Sequence, residues 1–147
     1  MSVIVTPRLA GSLVGVPVNS RRSRLGRTVD LLVDVDRWRV LGFVVECGDD
    51  GERFLPLAAS QAGSDEIEVG SPLMLLEDVG FYRARAQSLR AMAGAEIARA
   101  GRSAGFLGDL VLAGTGEVDE LELDVGGVHR RVPARGSIVS PPTATAA

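Results

Sequence analysis

The chain has 147 residues, enough for one ordinary domain or two very small ones. Apolar residues make up 46 % and charged residues 24 %, the balance of a globular protein with a core and a wet surface. A formal net charge of -3 excludes nucleic-acid binding through overall charge, and the single cysteine, Cys47, excludes an intramolecular disulfide and a thiolate zinc cluster.

Aromatic residues are only 4 %, against 18 Gly, a composition suited to short strands and tight turns. At the N-terminus no basic segment precedes an apolar one, and the charge-free stretch Leu9 to Ser20 is too short for a bilayer and contains Pro17. With a lone thiol, this predicts a cytoplasmic protein. "RRSRLGR" (21–27) follows, four arginines in seven residues, expected as a solvated loop. From Thr28 to Val35 apolar residues alternate, with Val29, Leu31, Val33 and Val35 on one side, the period of a strand. "DVDR" (34–37) is a turn, a second strand runs from about Trp38 to Glu46, and "CGDDGE" (47–52) is a hairpin connection. "RFLPL" (53–57) is a third strand, with Pro56 at an end or an edge. A turn and a short strand around Ile67 complete 61–70, and 77–92 is a helix or an extended linker. Strands then recur at 107–113, 118–125, 128–132 and 137–139, and the tail "PPTATAA" (141–147) is expected to be disordered.

This recurrence is an internal repeat. Gly15, Gly26, Asp30 and Leu31 fall on Gly94, Gly105, Asp109 and Leu110 at a constant spacing of 79 positions, as from Gly15 to Gly94. Further on, "VLGFVVE" (40–46) falls on "VDELELD" (118–124) after a one-residue deletion, and "RFLP" (53–56) falls on "RRVP" (130–133). A duplicated unit of roughly 50–70 residues is near the lower limit for a self-supporting core.

The pattern G-x-x-V, L-G-x-x-x-D-L-L-V-D, turn, V-x-G-F-V-V, turn, x-L-P resembles the PRC-barrel family. Here it is carried by Gly15, Leu25, Gly26, Asp30, Leu31, Leu32, Val33, Asp34, Val40, Gly42, Phe43, Val44, Val45, Leu55 and Pro56, and again by Gly94, Gly105, Asp109, Leu110, Leu121, Leu123 and Pro133. The resemblance implies a mostly β chain with little helix: two tandem small β-barrels of short antiparallel strands, at 8–77 and 92–140, joined by a linker at 78–91. The family includes the cytoplasmic domain of the photosynthetic reaction-centre H subunit and the C-terminal domain of a ribosome maturation factor, and in both the barrel serves as a docking surface. This chain shows neither the transmembrane helix of the one nor the preceding barrel of the other, so neither specific task is expected of it. What remains is a non-enzymatic scaffold or adaptor for a protein partner, with self-association as a further expectation.

The residues with chemical potential read as structural. Cys47 and His129 fall in different halves and do not suggest a nucleophilic pair. Asp34 and Asp36 lack the Gly and distant Glu of a calcium loop. Asp30 and Asp109 are expected to accept backbone N–H bonds from the preceding Arg/Gly loop and so fix the start of a strand. Glu120, Glu122 and Asp124 read as a solvated strand face. No catalytic, cofactor-binding or metal-binding residue is assigned. Arg21, Arg22, Arg24 and Arg27 are the docking candidates, for an acidic partner or, as the alternative function, for RNA, a ribosome or an anionic membrane. The second strand, with Leu41, Phe43 and Val45 inward, leaves an apolar outer face. Leu32, Val44, Leu107 and Val111, with Trp38 near the seam, are therefore expected to form an interface between repeats or between copies of the chain.

Overall fold

The structure, a computed structural model, describes Ile4 and residues 8–140; the C-terminal tail expected at 141–147 lies outside the described residues. The chain is mostly β and forms two curled sheets. Strands β1 (Arg8–Leu9), β2 (Pro17–Ser20), β3 (Ser23–Asp34), β4 (Arg39–Glu46), β5 (Glu52–Pro56), β6 (Ser60–Ala62), β7 (Ile67–Val69) and β8 (Gln87–Ser88) fill the first part of the chain. Strands β9 (Glu96–Arg99), β10 (Arg102–Leu112), β11 (Val118–Val125), β12 (Val128–Pro133) and β13 (Ser137–Val139) fill the second. Two single-turn helices, α1 (Val79–Arg83) and α2 (Leu89–Met92), lie in the segment read as a helix or linker. The first sheet has the order β5-β4-β3-β2-β7-β6 with β8 added to β3, and the second β12-β11-β10-β9-β13 with β1 added to β10.

The repeat is written into the strand register. Leu31 lies opposite Phe43 and Leu110 opposite Leu121, so the first partners are 79 positions apart and the second 78, which locates the deletion in the turn between them. Phe43 opposite Leu55 and Leu121 opposite Val132 carry the match onward. The bulges match as well: β3 slips between Thr28 and Asp30 and again at Leu32/Val33, and β10 slips between Leu107 and Asp109 and again at Val111/Leu112. These bulges bend the long strands, so one strand can serve two neighbours in a curled sheet.

They also shift the side-chain phase, which corrects the expected alternation. Val29 and Leu41 have no ladder partner, so each bulge skips one residue. Val40, Phe43 and Val45 consequently face the main core, and Leu41 goes to the outer face instead of pointing inward. Val29 likewise leaves the face of Leu31 and Val33 and joins that outer cluster.

Each half reaches across to the other. The short arm β1 belongs to the first repeat but pairs with β10 of the second, Leu9 opposite Val111. Its counterpart β8 precedes the second repeat and pairs with β3 of the first, Ser88 opposite Leu32. After each arm comes one helical turn, Ala10–Leu13 or α2, that buries Ala10 and Leu13 or Leu89 and Met92. At the seam Val40 N–H donates to Gly116 O (2.9 Å) and Val118 N–H to Trp38 O (2.8 Å), a reciprocal pair. The exchange is that of two protomers about a two-fold axis, here within one chain. The main core is continuous across it, with Leu31, Val33 and Phe43 in one cluster with Leu110, Leu121 and Leu123.

The halves differ outside this shared frame. Beside β2 the first repeat places β7 in parallel, delivered by the β6–β7 hairpin, whereas beside β9 the second places β13 antiparallel. The outer face of the first sheet is covered by the connecting segment. Leu32, Val44, Phe54 and Val79 form a second, smaller cluster packed against Leu76, Tyr82 and Ala86, and the Phe54 and Tyr82 rings stack with centroids 3.9 Å apart.

Candidate functional site

The two matched aspartates show what the repeat motif does. Asp30 is buried, and its Oδ1 accepts the N–H of Leu31 (2.8 Å) and of Arg90 (3.2 Å) while Oδ2 accepts the Ser88 hydroxyl. Asp109 Oδ1 accepts the N–H of Leu110 (2.8 Å) and of Gly11 (2.9 Å). The partners are therefore not the preceding Arg/Gly loop: each aspartate caps the helical turn of the opposite repeat's arm. Only the β8 arm adds a side chain, the Ser88 hydroxyl; Gly11 and Arg90 offer backbone N–H groups alone.

The matched glycines are used the same way in both halves. Gly15 and Gly94 take φ of 85° and 83°, the left-handed region where a side chain is disfavoured, and donate to Thr28 O and Leu107 O at 2.8 Å each. Gly26 and Gly105 let β3 and β10 cross closely over their neighbours. A Cβ on Gly26 would overlap the Glu46 carbonyl, and one on Gly105 would lie 2.9 Å from the carbonyl of Asp124.

Trp38 holds the seam. Its φ of 51° is unusual for a bulky residue, and its counterpart across the pseudo-dyad is Gly116, at 92°. Trp38 is buried and its Nε1–H reaches Ser137 O of the second repeat at 3.4 Å. Leu57 of the first repeat in turn occupies the space over Gly116 that a side chain would need.

The other expected interface residues do not share one surface. Leu32 and Val44 lie under the connecting segment, Leu107 belongs to the main core, and Val111 is buried opposite Leu9 and Glu120. The second repeat needs no such cover, because the counterparts of Val44 and Phe54 are Glu122 and Arg131, joined by an ion pair of 3.4 Å.

The arginines of 21–27 form no single loop. Only Arg21 and Arg22 make the tip of the β2–β3 hairpin, at φ of 48° and 73°, and Arg24 and Arg27 already lie on β3. All four are exposed, but the Arg27 guanidinium donates to Gly15 O and so supports the turn. The counterparts of Arg21 and Arg22 are Ala100 and Gly101, at 51° and 77°. A two-residue hairpin of this kind demands two left-handed residues and favours Asn and Gly, so the Arg-Arg tip runs against its own backbone geometry.

The remaining candidates have structural work. Asp34 Oδ1 accepts the N–H of Asp36 (3.0 Å) and of Arg37 (3.2 Å), closing the turn between β3 and β4. Asp124 Oδ1 accepts the N–H of Gly127 (2.8 Å) in the turn before β12. Cys47 is half-buried just beyond β4 of the first sheet, and His129 is exposed on β12 of the second. Burial pushes the Cys47 thiol up; Arg53 opposes this and Asp50 and Glu46 add to it.

Sequence reasoning passed over the large apolar side chains left in solvent. Four stand on the second sheet: Phe106 (51 % exposed), Val125 (40 %), Val128 (66 %) and Ile138 (66 %). Phe106 forms one wall of an open cleft of about 520 Å³ with Met92, Ala95 and Val139. The clue was available in "DVGGVHR", where valines flank a glycine turn with no apolar neighbour to bury them. Among the described residues no helix is long and apolar enough to cross a membrane. No protein-family model matches the chain, and no curated protein matches it significantly in sequence.

Proposed function

We propose that this chain is a non-enzymatic cytoplasmic adaptor of the PRC-barrel type, two small barrel repeats that present a surface to another protein. The supporting observation is a division of labour. The residues that recur in both halves, Gly15/Gly94, Gly26/Gly105 and Asp30/Asp109, are taken up in holding backbone, while apolar side chains stand in solvent along the second sheet around Phe106 and Val128. Exposed apolar groups beside a closed core are what a partner would cover. The test is a photo-reactive residue at position 106 or 128 of the full chain, activated in cells of its source. A discrete protein adduct at these positions, lost when the residue is moved to the far sheet, is expected. Adducts confined to nucleic acid or lipid would overturn the reading.

A second reading, an RNA- or ribosome-associated factor or a peripheral membrane protein, is supported by the exposed Arg21–Arg22 tip with Arg24 beside it. Steeply salt-dependent RNA binding, or sedimentation with anionic but not neutral vesicles, would favour it.

A further inference from the structure

The two halves treat their outer edge strands differently. In the first, β5 is closed off by the chain itself: Phe54 N–H donates to Leu76 O and Leu76 N–H to Phe54 O, both at 2.8 Å. The counterpart of Phe54 on β12 is Arg131, whose outward backbone groups meet no partner among the described residues.

The register shows which groups are open. The turn Gly126–Gly127, at φ of 60° and 86°, joins Val125 to Val128, and a two-residue turn closes on a hydrogen-bonded pair. Alternate pairs then face outward, so His129 and Arg131 point their N–H and C=O away from β11. Pro133 ends the open stretch, since it has no N–H and its carbonyl already accepts from Arg99 (2.7 Å) and Ser137 (2.8 Å).

The side chains select the occupant. His129, Arg130 and Arg131 are consecutive and exposed, and among the described residues only Arg131 has an ion-pair partner, Glu122. Val128, with Val125 beside it, gives the start of the strand an apolar end. A second copy pairing β12 against β12 would bring Arg130 and Arg131 of the two copies against one another, which disfavours a homodimer through this edge. We infer that the free edge of β12 receives an extended segment of a partner protein, added antiparallel, with acidic residues opposite His129 to Arg131 and an apolar residue at its C-terminal end against Val128. Backbone pairing would supply the affinity and the side chains the choice of partner. The Leu76–Phe54 bridge shows the same addition made within the chain.

This inference rests on the adaptor reading and specifies its surface. The test uses the full chain and a short blocked peptide of Glu and Thr ending in two Val residues, followed by amide-resolved NMR hydrogen exchange. The amides of His129 and Arg131 should become protected on titration. A peptide with Lys in place of Glu should give no protection, and Arg130→Glu should weaken binding several-fold while leaving the spectrum of the core unchanged. Absence of protection at His129 and Arg131, or equal protection by the Lys peptide, would overturn it. Perturbation centred on the Phe106 cleft instead would overturn the edge assignment and leave the adaptor reading standing, whereas that reading falls on its own if photo-crosslinking at 106 and 128 yields no protein adduct.

Discussion

Asp30 accepts the N–H of Arg90 at 3.2 Å, and Asp109, its counterpart, accepts the N–H of Gly11 at 2.9 Å. Each carboxylate thus fastens the arm of the other repeat, and the two bonds lie on opposite sides of one pseudo-dyad. The environments differ: Asp30 is buried and also accepts from Ser88, whereas Asp109 is only half-buried and has no third donor among the described residues. Asp30→Ala is therefore expected to cost about 2–3 kcal/mol and Asp109→Ala about 1–2 kcal/mol, since stranding buried donors is the larger part of such losses. Urea unfolding of the two variants measures the order; equal costs would show that burial and Ser88 add nothing.

The matched glycines separate two kinds of constraint. Gly15→Ala meets open space at φ of 85° and should cost about 1 kcal/mol, the strain of a left-handed alanine. Gly26→Ala drives a methyl into the Glu46 carbonyl and lies 2.9 Å from Val45 Cγ1, so β3 and β4 must separate. A cost above about 3 kcal/mol is expected there, in the range reserved for overpacked or strained core sites. Thermal unfolding of the pair is the check.

Val44→Glu tests where the outer apolar face is covered. Val44 is fully buried with Leu32, Phe54 and Val79, under the segment that carries Leu76 and Tyr82. An unpaired carboxylate there should cost about 2–4 kcal/mol. The cover belongs to the same chain, so the sedimentation coefficient should stay constant while hydrogen exchange rises across 76–86. Dissociation of an oligomer would point to a partner chain on that face instead.

The frame of the repeat was legible because it rests on local signals. Glycines at forced positions, turn residues and a one-residue deletion all leave marks in sequence, and the register of Leu31 with Phe43 against Leu110 with Leu121 follows them. The face of each residue was less legible, because a bulge at Val29 or Leu41 shifts the period-two pattern and changes no composition. The short strands β2 and β9 were missed, being four residues each with Pro17 or charged ends. The exchange of arms was barely legible: Gly11 and Arg90 contribute N–H groups, which every residue but proline has, and Ser88 is the one side chain that takes part. Trp38 lies at the seam with its Nε1–H on Ser137 O, whereas Leu32 and Val44 pack under the connecting segment, which supplies its own apolar cover.

Cys47 makes a pH-dependent contribution of defined sign. Burial, with Asp50 and Glu46 nearby, raises its thiol against the opposing pull of Arg53, and the thiol donates to Val45 O at 3.7 Å. The folded state therefore binds the thiol proton more tightly than the unfolded state. The stability this gives is fully present below the ordinary thiol value and is lost as pH rises through it toward the folded value. Alkylation by iodoacetamide at mildly alkaline pH should be slower than for an unfolded control, and Cys47→Ala should flatten the decline of stability at alkaline pH. A rate equal to the unfolded control would contradict the shift.

Arg22 offers a change that should raise stability. It sits at φ of 73°, where its counterpart Gly101 sits at 77°. A left-handed arginine pays a steric cost of about 1–2 kcal/mol, and glycine returns part of that gain through the greater freedom of its unfolded chain. Arg22→Gly should therefore stabilise the protein by about 0.5–1 kcal/mol, the scale of backbone substitutions that fit their site. The guanidinium makes no ion pair among the described residues, so little opposes the gain. The substitution also separates fold from docking. If the hairpin tip binds a polyanion, Arg22→Gly should raise the melting temperature while lowering affinity for RNA or anionic vesicles and flattening the salt dependence of that affinity. If affinity for both is unchanged, the Arg-Arg tip carries no binding. A loss of stability would show that the Arg22 side chain holds the hairpin in a way its backbone geometry does not predict.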